Sequence, residues 1–461
     1  MKILMMTNTY TPIVGGVEKS IESLTNTFRK KGHSVLIAAP TFEGMPEDEE
    51  GIVRVAAIRK FNGSDFSIQL PISIELSKAL NEFQPDVVHS HHPFLIGDTA
   101  LRVANNFQIP LVFTHHTKYE DYTHYVPLDS PIMKRFVIEL STGYANLAHH
   151  VIAPSRSIYE LLVKRGVQTP IDVIPTGIDL TRFSTGHREA FRSRWKIPED
   201  AFVIGHVGRL APEKNIPFLL QAVILAMKKN KQAWFLLVGK GSSLDEILRA
   251  FQREGLDSRL CATGTLFGEE LVNAYHAMNI FAFASTTETQ GMVLAEAVAA
   301  GTPVVAIDAD GVREVVQDCV NGRMIRSADL AEFTAALEWM MERPANVIQD
   351  MKKECLVTSR AFDLDKLAQQ ILSLYEDLID QDLVYTETDV SVWSNAAARL
   401  RTEWNLIKNI TQSAGTALNP EKNQSKPGTE EKARTNWGRG VRQWLGKQDW
   451  SLKRQKRKIR K

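Results

Sequence analysis

Short apolar runs alternate with longer stretches of helical period along most of the chain. Lys2–Met6 reads as a buried strand, a glycine-bearing turn follows, and Glu18–Lys31 repeats its apolar positions at helical spacing. Gly32 stops that helix, and Ser34–Ala39 is the next strand. Val87–His89, Leu111–Phe113, Val151–Ala153 and Val173–Ile174 continue the strand series, with a helix over Thr99–Asn106. The pattern restarts after the turn-rich Pro175-Thr176-Gly177-Ile178-Asp179. Val203–Val207, Trp234–Val238, Ile280–Ala284 and Pro303–Ile307 read as strands. Ile216–Lys229, Leu244–Glu254, Glu269–Met278 and Leu294–Ala300 read as the helices between them. Such alternation predicts an α/β fold of two doubly wound, Rossmann-like domains facing across a cleft, over residues 1–172 and 173–360.

Beyond them the period changes. Leu364, Leu367, Ile371, Leu374 and Leu378 define one helix face, predicting that 361–384 packs back on the body. Trp393, Ala397, Leu400, Trp404 and Ile407 define a second amphipathic face, and 411–436 reads as a linker. Residues 385–461 thus form a helix, a linker and a basic, Trp-containing tail.

Charge sharpens this division. The 461 residues carry a formal net charge of +1. Residues 432–461, however, hold twelve Lys or Arg and one acid, a net of +11 that leaves the other 431 residues at −10. Three cysteines without metal-type or redox-type spacing suggest no zinc site or disulfide framework, and a reducing compartment fits. The apolar run at the N-terminus is too short for a signal peptide, and no run reaches the length of a membrane span, so membrane contact is expected to be peripheral.

Candidate chemistry clusters at strand ends. Gly15-Gly16-Val17-Glu18 opens a helix after the first strand, where backbone N–H groups can approach an anion; a tight turn is the plainer reading. Arg209 and Lys214 follow Val203–Val207, and a fork beside a point charge suits a diphosphate; a solvated loop with a local Lys–Glu pair is the alternative. Glu288-Thr289-Gln290-Gly291-Met292-Val293-Leu294-Ala295-Glu296 puts one acid before a helix start and one inside an apolar helix. The second needs a partner, either a ligand hydroxyl or an internal salt bridge. His89, His91, His92, His115 and His116 crowd two strand ends without the carboxylate neighbours of a zinc site. Asp308 and Asp310 read as turn chemistry.

Taken together these segments resemble the retaining glycosyltransferases of family 4, over roughly residues 1–380. The motifs that carry the resemblance are the Gly15-Gly16 loop, Thr114-His115-His116, Val173 to Asp179, Gly208-Arg209 to Lys214, and Glu288 to Glu296. The resemblance implies a GT-B fold and no cofactor or metal beyond the nucleotide sugar itself. It implies that Arg209 and Lys214 bind the donor diphosphate, and that Glu288 contacts sugar hydroxyls and Glu296 the ribose. Gly291, Met292, Val293 and Leu294 are expected to offer backbone N–H groups. Gly16 is expected to face the diphosphate and His116 the reacting sugar, His115 being the weaker candidate of that pair. His116, Glu288, Arg209 and Lys214 are thereby the expected catalytic set. A front-face mechanism, in which the leaving phosphate helps deprotonate the acceptor, is implied as well.

His89 to Gly97 and Phe113 to Tyr122 look like the subgroup that glycosylates diacylglycerol, with UDP-glucose the leading donor. UDP-galactose or a GDP-sugar stands behind it. A soluble, polyprenyl or inositol-lipid acceptor is the alternative within the family, and a non-catalytic membrane-bound sugar-nucleotide scaffold the alternative outside it. Five of the eight tryptophans lie within residues 393–450, beside the basic run. That pairing suits an anionic membrane surface on the cytoplasmic face, the alternative being that Trp393–Ile407 packs on the enzyme body and the final basic run is disordered. No nucleic-acid module accompanies it, so a nucleic-acid partner is not expected.

Overall fold

A computed structural model describes residues 1–13, 15–46, 49–55, 57–58, 68–69, 74–125 and 130–381, with isolated positions 409, 410 and 413. Apart from those three positions, the predicted segments within 385–461 lie outside the described residues.

The strands in chain order are β1 Lys2–Met6, β2 Ser34–Pro40, β3 Ile52–Val55, β4 Ala57–Ile58, β5 Ile68–Gln69, β6 Val87–Ser90, β7 Leu111–Thr114, β8 His150–Ala153 and β9 Ile171–Val173. They continue as β10 Phe202–Val207, β11 Ala233–Val238, β12 Leu260–Gly264, β13 Ile280–Phe283, β14 Val304–Ile307 and β15 Gly322–Ile325. A seven-stranded parallel sheet runs β3-β2-β1-β6-β7-β8-β9, and a six-stranded one runs β12-β11-β10-β13-β14-β15. Strand β9 spans the position, 172/173, at which the sequence reading divides the two domains.

Contiguous apolar runs mark strands covered on both faces. Ile3, Leu4, Met5 and Met6 are all buried, but alternate between faces. Leu4 and Met6 join Val88 and Phe113 in one cluster, and Ile3 and Met5 join Ile21 and Phe28 in the other. Edge strands β3, β12 and β15 are partly exposed along their length. Their shorter apolar signal is why the hydrophobic pattern did not predict them.

The helix Leu364–Asp380 returns to the first domain. Leu367, Ile371, Leu374 and Leu378 pack with Ile3, Met5 and Phe28. Each such buried side chain is worth roughly 1.5–3 kcal/mol. The return path is pinned where the Ile178 N–H donates to the Phe362 carbonyl (2.7 Å) and the Leu364 N–H to the Ile178 carbonyl (3.1 Å).

Candidate active site

Strand order reverses once in each sheet. In the first, the chain builds outward from β1 and then crosses to β6; in the second it builds outward from β10 and crosses to β13. Open α/β sheets bind ligands beyond the carboxyl ends of strands at such switch points. Here the loops after β1, β7, β10 and β13 all line one cleft of 1180 Å³, with residues from both domains.

The loop after β10 carries Arg209 and Lys214, and the loop after β13 carries Glu288. Lys214 Nζ lies 2.5 Å from Glu288 Oε1. Burial pulls the Lys214 ammonium down, but Glu288 and Tyr122 outweigh it, and its pKa ends above the ordinary value. Arg209 pairs instead with Glu213 (3.2 Å) and keeps 53% of its side chain exposed in the cleft. The local Lys–Glu pair open from sequence is therefore an Arg209–Glu213 pair, and Lys214 reaches a different strand end.

Gly291 caps the helix Met292–Ala299 at φ +71°, a left-handed conformation that glycine adopts without a Cβ penalty. The Leu294 N–H turns back onto the Gly291 carbonyl at 2.8 Å. The Leu294 amide, expected from sequence to face the ligand, is thereby used within the helix end, and among the described residues the amides of Gly291, Met292 and Val293 remain as its orphan donors. Across the cleft Gly16 begins the helix Gly16–Lys30. A Cβ on Gly16 would sit 3.5 Å from Met292 Sδ, ordinary contact distance.

Glu296 is buried, and both of its oxygens are occupied. Tyr275 Oη donates to Oε2 at 2.7 Å, and Lys19 Nζ of the first domain reaches Oε1 at 3.4 Å. Burial first, and Glu296 second, push the Tyr275 hydroxyl well above its ordinary pKa, so it stays a donor. Sequence reasoning missed both partners. Lys19 follows the quoted glycine loop by three positions, the one local signal for it.

The histidines stack rather than converge on a metal. His116 Nε2 lies 2.9 Å from His91 Nδ1, and His91 stacks on His89 with centroids 4.2 Å apart. Burial lowers the His116 pKa to about 4, so the ring is neutral near pH 7. His115 points away among Phe113 and Tyr119, and among the described residues neither of its ring nitrogens has a hydrogen-bond partner. Asp310 pairs with Lys118 (3.2 Å) and Arg313 (3.4 Å), and Asp308 with Arg313 (2.6 Å).

Several of these contacts join the two domains. Thr289 Oγ1 donates to the His116 carbonyl at 2.6 Å, and the Ser157 N–H donates to Glu314 Oε1 at 3.1 Å. Lys19–Glu296 and Lys118–Asp310 flank them. These contacts hold the two domains together around the cleft.

Two parallel, Rossmann-like sheets whose switch points open on one shared cleft are the GT-B arrangement, and this chain has that fold. Residues 14–182 match the family described as Glycosyltransferase Family 4, and residues 201–343 that described as Glycosyl transferases group 1. An alpha-monoglucosyldiacylglycerol synthase of Streptococcus pneumoniae is 30% identical over 337 residues, 70% of this chain and 75% of the relative. One from Acholeplasma laidlawii is 27% identical over 398 residues, 83% and 98% of the two chains. The crystal structure of Anabaena Alr3699/HepE with UDP and glucose shares the fold with a TM-score of 0.66 at 21% identity, covering 82% of this chain and all of that one. The chain belongs to glycosyltransferase family 4 and is a hexosyltransferase.

Proposed function

We propose that this enzyme transfers glucose from UDP-glucose to a diacylglycerol-type lipid, with retention and without a metal. The observation that carries the reading is the cross-strand pair Lys214–Glu288, set beside Arg209 and the capped helix Met292–Ala299 in one cleft. Two relatives that span most of the chain are alpha-monoglucosyldiacylglycerol synthases, which supports both the hexose and the lipid.

In this reading Arg209, Lys214 and the Met292 and Val293 amides take the diphosphate. Fixed cations and oriented amides stabilise charge that develops on a leaving phosphate. Glu288 orients sugar hydroxyls, Glu296 the ribose, and His116 the face of the sugar. Gly16 leaves room for the diphosphate from the first domain. The anomeric C–O bond to phosphate breaks as the acceptor oxygen bonds the same face. The acceptor proton passes to the leaving phosphate oxygen, so the products are the glycolipid and the nucleoside diphosphate. Domain closure excludes water from the anomeric carbon during this step.

Among the described residues no helix is long and apolar enough to cross a membrane. Peripheral attachment to the cytoplasmic face through 385–461 supplies the lipid acceptor in this reading. The deciding experiment incubates the full chain with nucleotide sugars and diacylglycerol-containing anionic liposomes, with products read by mass spectrometry. Hexosyl-diacylglycerol from UDP-glucose is expected; a product formed only on a soluble or inositol acceptor overturns the lipid reading. Deleting 385–461 is expected to abolish co-sedimentation with anionic liposomes, and unchanged sedimentation overturns the tail's role.

A further inference from the structure

Behind the cleft, three histidines form a row that the reaction scheme above leaves unused beyond its first member. His116 faces the cleft; His91 and His89 lie behind it and are completely buried. His91 is bonded at both ring nitrogens: Nδ1 lies 2.9 Å from His116 Nε2, and Nε2 lies 3.2 Å from Met5 Sδ. We propose that His91 is a positioning residue that holds the His116 proton on Nε2, leaving His116 Nδ1 a hydrogen-bond acceptor toward the sugar. The consequence for the sugar rests on the reading given above, in which His116 meets the donor hexose; the tautomer itself does not.

Donors and acceptors decide the tautomer. A neutral imidazole carries one N–H and one lone pair. Burial lowers the His91 pKa well below its ordinary value and that of His116 to about 4, so both rings are neutral under physiological conditions. Met5 Sδ can accept weakly but cannot donate. A lone pair on His91 Nε2 would therefore face a sulfur lone pair in a fully buried place, while an N–H there finds an acceptor. The His91 proton consequently sits on Nε2, and its Nδ1 is the acceptor. His116 Nε2 must then be the donor across the 2.9 Å contact. Its own Nδ1 is left bare.

The row is braced from behind. His89 stacks on His91 at 4.2 Å, and its two nitrogens are held by Thr114 Oγ1 and Tyr375 Oη, each at 2.6 Å. Tyr375 belongs to the returning helix Leu364–Asp380, so the far end of the described body helps set a ring in the cleft. A bare Nδ1 accepts from a sugar hydroxyl and gives nothing to a group without an O–H. This makes His116 a reader of hydroxyl protons rather than an acid.

The test uses the full chain labelled with 15N-histidine, with ring signals assigned by their loss in His116→Asn. The expected spectrum shows His116 protonated at Nε2 and bare at Nδ1. His91→Phe keeps a stacked ring but offers no acceptor. It is expected to move the His116 proton to Nδ1 and to lower kcat about 10- to 100-fold with donor KM little changed. His91→Asn returns a carbonyl oxygen and is expected to recover part of the rate. A wild-type His116 protonated at Nδ1 overturns the inference, and so does a His91→Phe enzyme with unaltered tautomer and kcat. The wild-type spectrum decides the matter even if the variant fails to fold. An Nε2-protonated His116 in an enzyme inactive on diacylglycerol supports the inference and overturns only the acceptor reading.

Discussion

Lys19 and Glu296 stand 277 positions apart in sequence and meet across the cleft, Nζ to Oε1 at 3.4 Å. Glu296 thereby takes one partner from each domain, because Tyr275 holds its other oxygen. The two partners differ in what they contribute. Lys19 is about a third exposed and screened by water, so Lys19→Ala is expected to change unfolding free energy by less than about 1 kcal/mol. Glu296→Ala strands the buried Tyr275 hydroxyl and is expected to cost about 1–3 kcal/mol in a denaturant titration. Glu296→Gln keeps the Tyr275 bond but weakens the ribose contact, and donor KM is expected to rise about 5- to 30-fold.

The Lys214–Glu288 pair makes a pH-dependent case. Lys214 has a folded pKa above its ordinary 10.5, so its charge and the pair's contribution are fully present below that value and are lost only as pH rises through the raised one. Lys214→Ala and Glu288→Ala are each expected to remove most transfer while leaving the circular dichroism spectrum intact. In Glu288→Gln the larger upward pull is gone, and burial is opposed only by Tyr122. The alkaline limb of kcat/KM is then expected to move to lower pH, and an unmoved limb would contradict the pairing.

Two glycines separate folding from binding. Gly16→Ala places a methyl at ordinary distance from Met292 Sδ, so the fold is expected to hold while the methyl obstructs the donor. Gly291→Ala forces φ +71° on a residue with a Cβ that Leu294 Cδ1 approaches to 2.9 Å. It is expected to lose about 1–2 kcal/mol as well as activity. Thermal melts with donor titrations separate the two outcomes.

Acid stability follows from the histidines. Burial is the largest cause that lowers His89, His92 and His115 to about 3, and the sole one that lowers His116 to about 4. Between these values and the ordinary 6.5 the unfolded chain binds more protons, so stability is complete above 6.5 and falls as pH drops. The expected slope is about 1.4 kcal/mol per pH unit for each histidine in that window. His115 has two partnerless nitrogens, so His115→Leu is expected to hold or raise stability at pH 7 and flatten the acid slope by about one proton. An unchanged slope would show that His115 is protonated in the folded state.

Activity is expected to survive EDTA. Arg209, Lys214 and a helix end supply the positive field at the expected phosphate position, so a strict requirement for added divalent ion would remove the metal-free part of the proposed mechanism.

The fold was legible wherever a strand is covered on both faces. Such strands need unbroken apolar runs, and β1, β2, β10, β11 and β13 have them. The edges β3, β12 and β15 are half open to water and carry no such requirement, so their sequences, such as Gly322–Ile325, do not announce a strand. The candidate site was legible by residue type. Acids and cations beside glycines at strand ends, Lys214, Glu288, Gly291 and Glu296 among them, mark a place where charge and open backbone meet.

What the sequence by itself determined was therefore the class of fold and the chemistry gathered at its strand ends. Only the tertiary structure decided who bonds whom. Lys19 meets Glu296 because the two domains dock, Lys214 meets Glu288 because β10 and β13 are neighbours, and Tyr375 meets His89 because the helix Leu364–Asp380 crosses back to the first sheet. The physical reason is that local periodicity records how much of each residue is buried. Partners are set by strand order and domain docking, which bring together positions that no spacing along the chain relates.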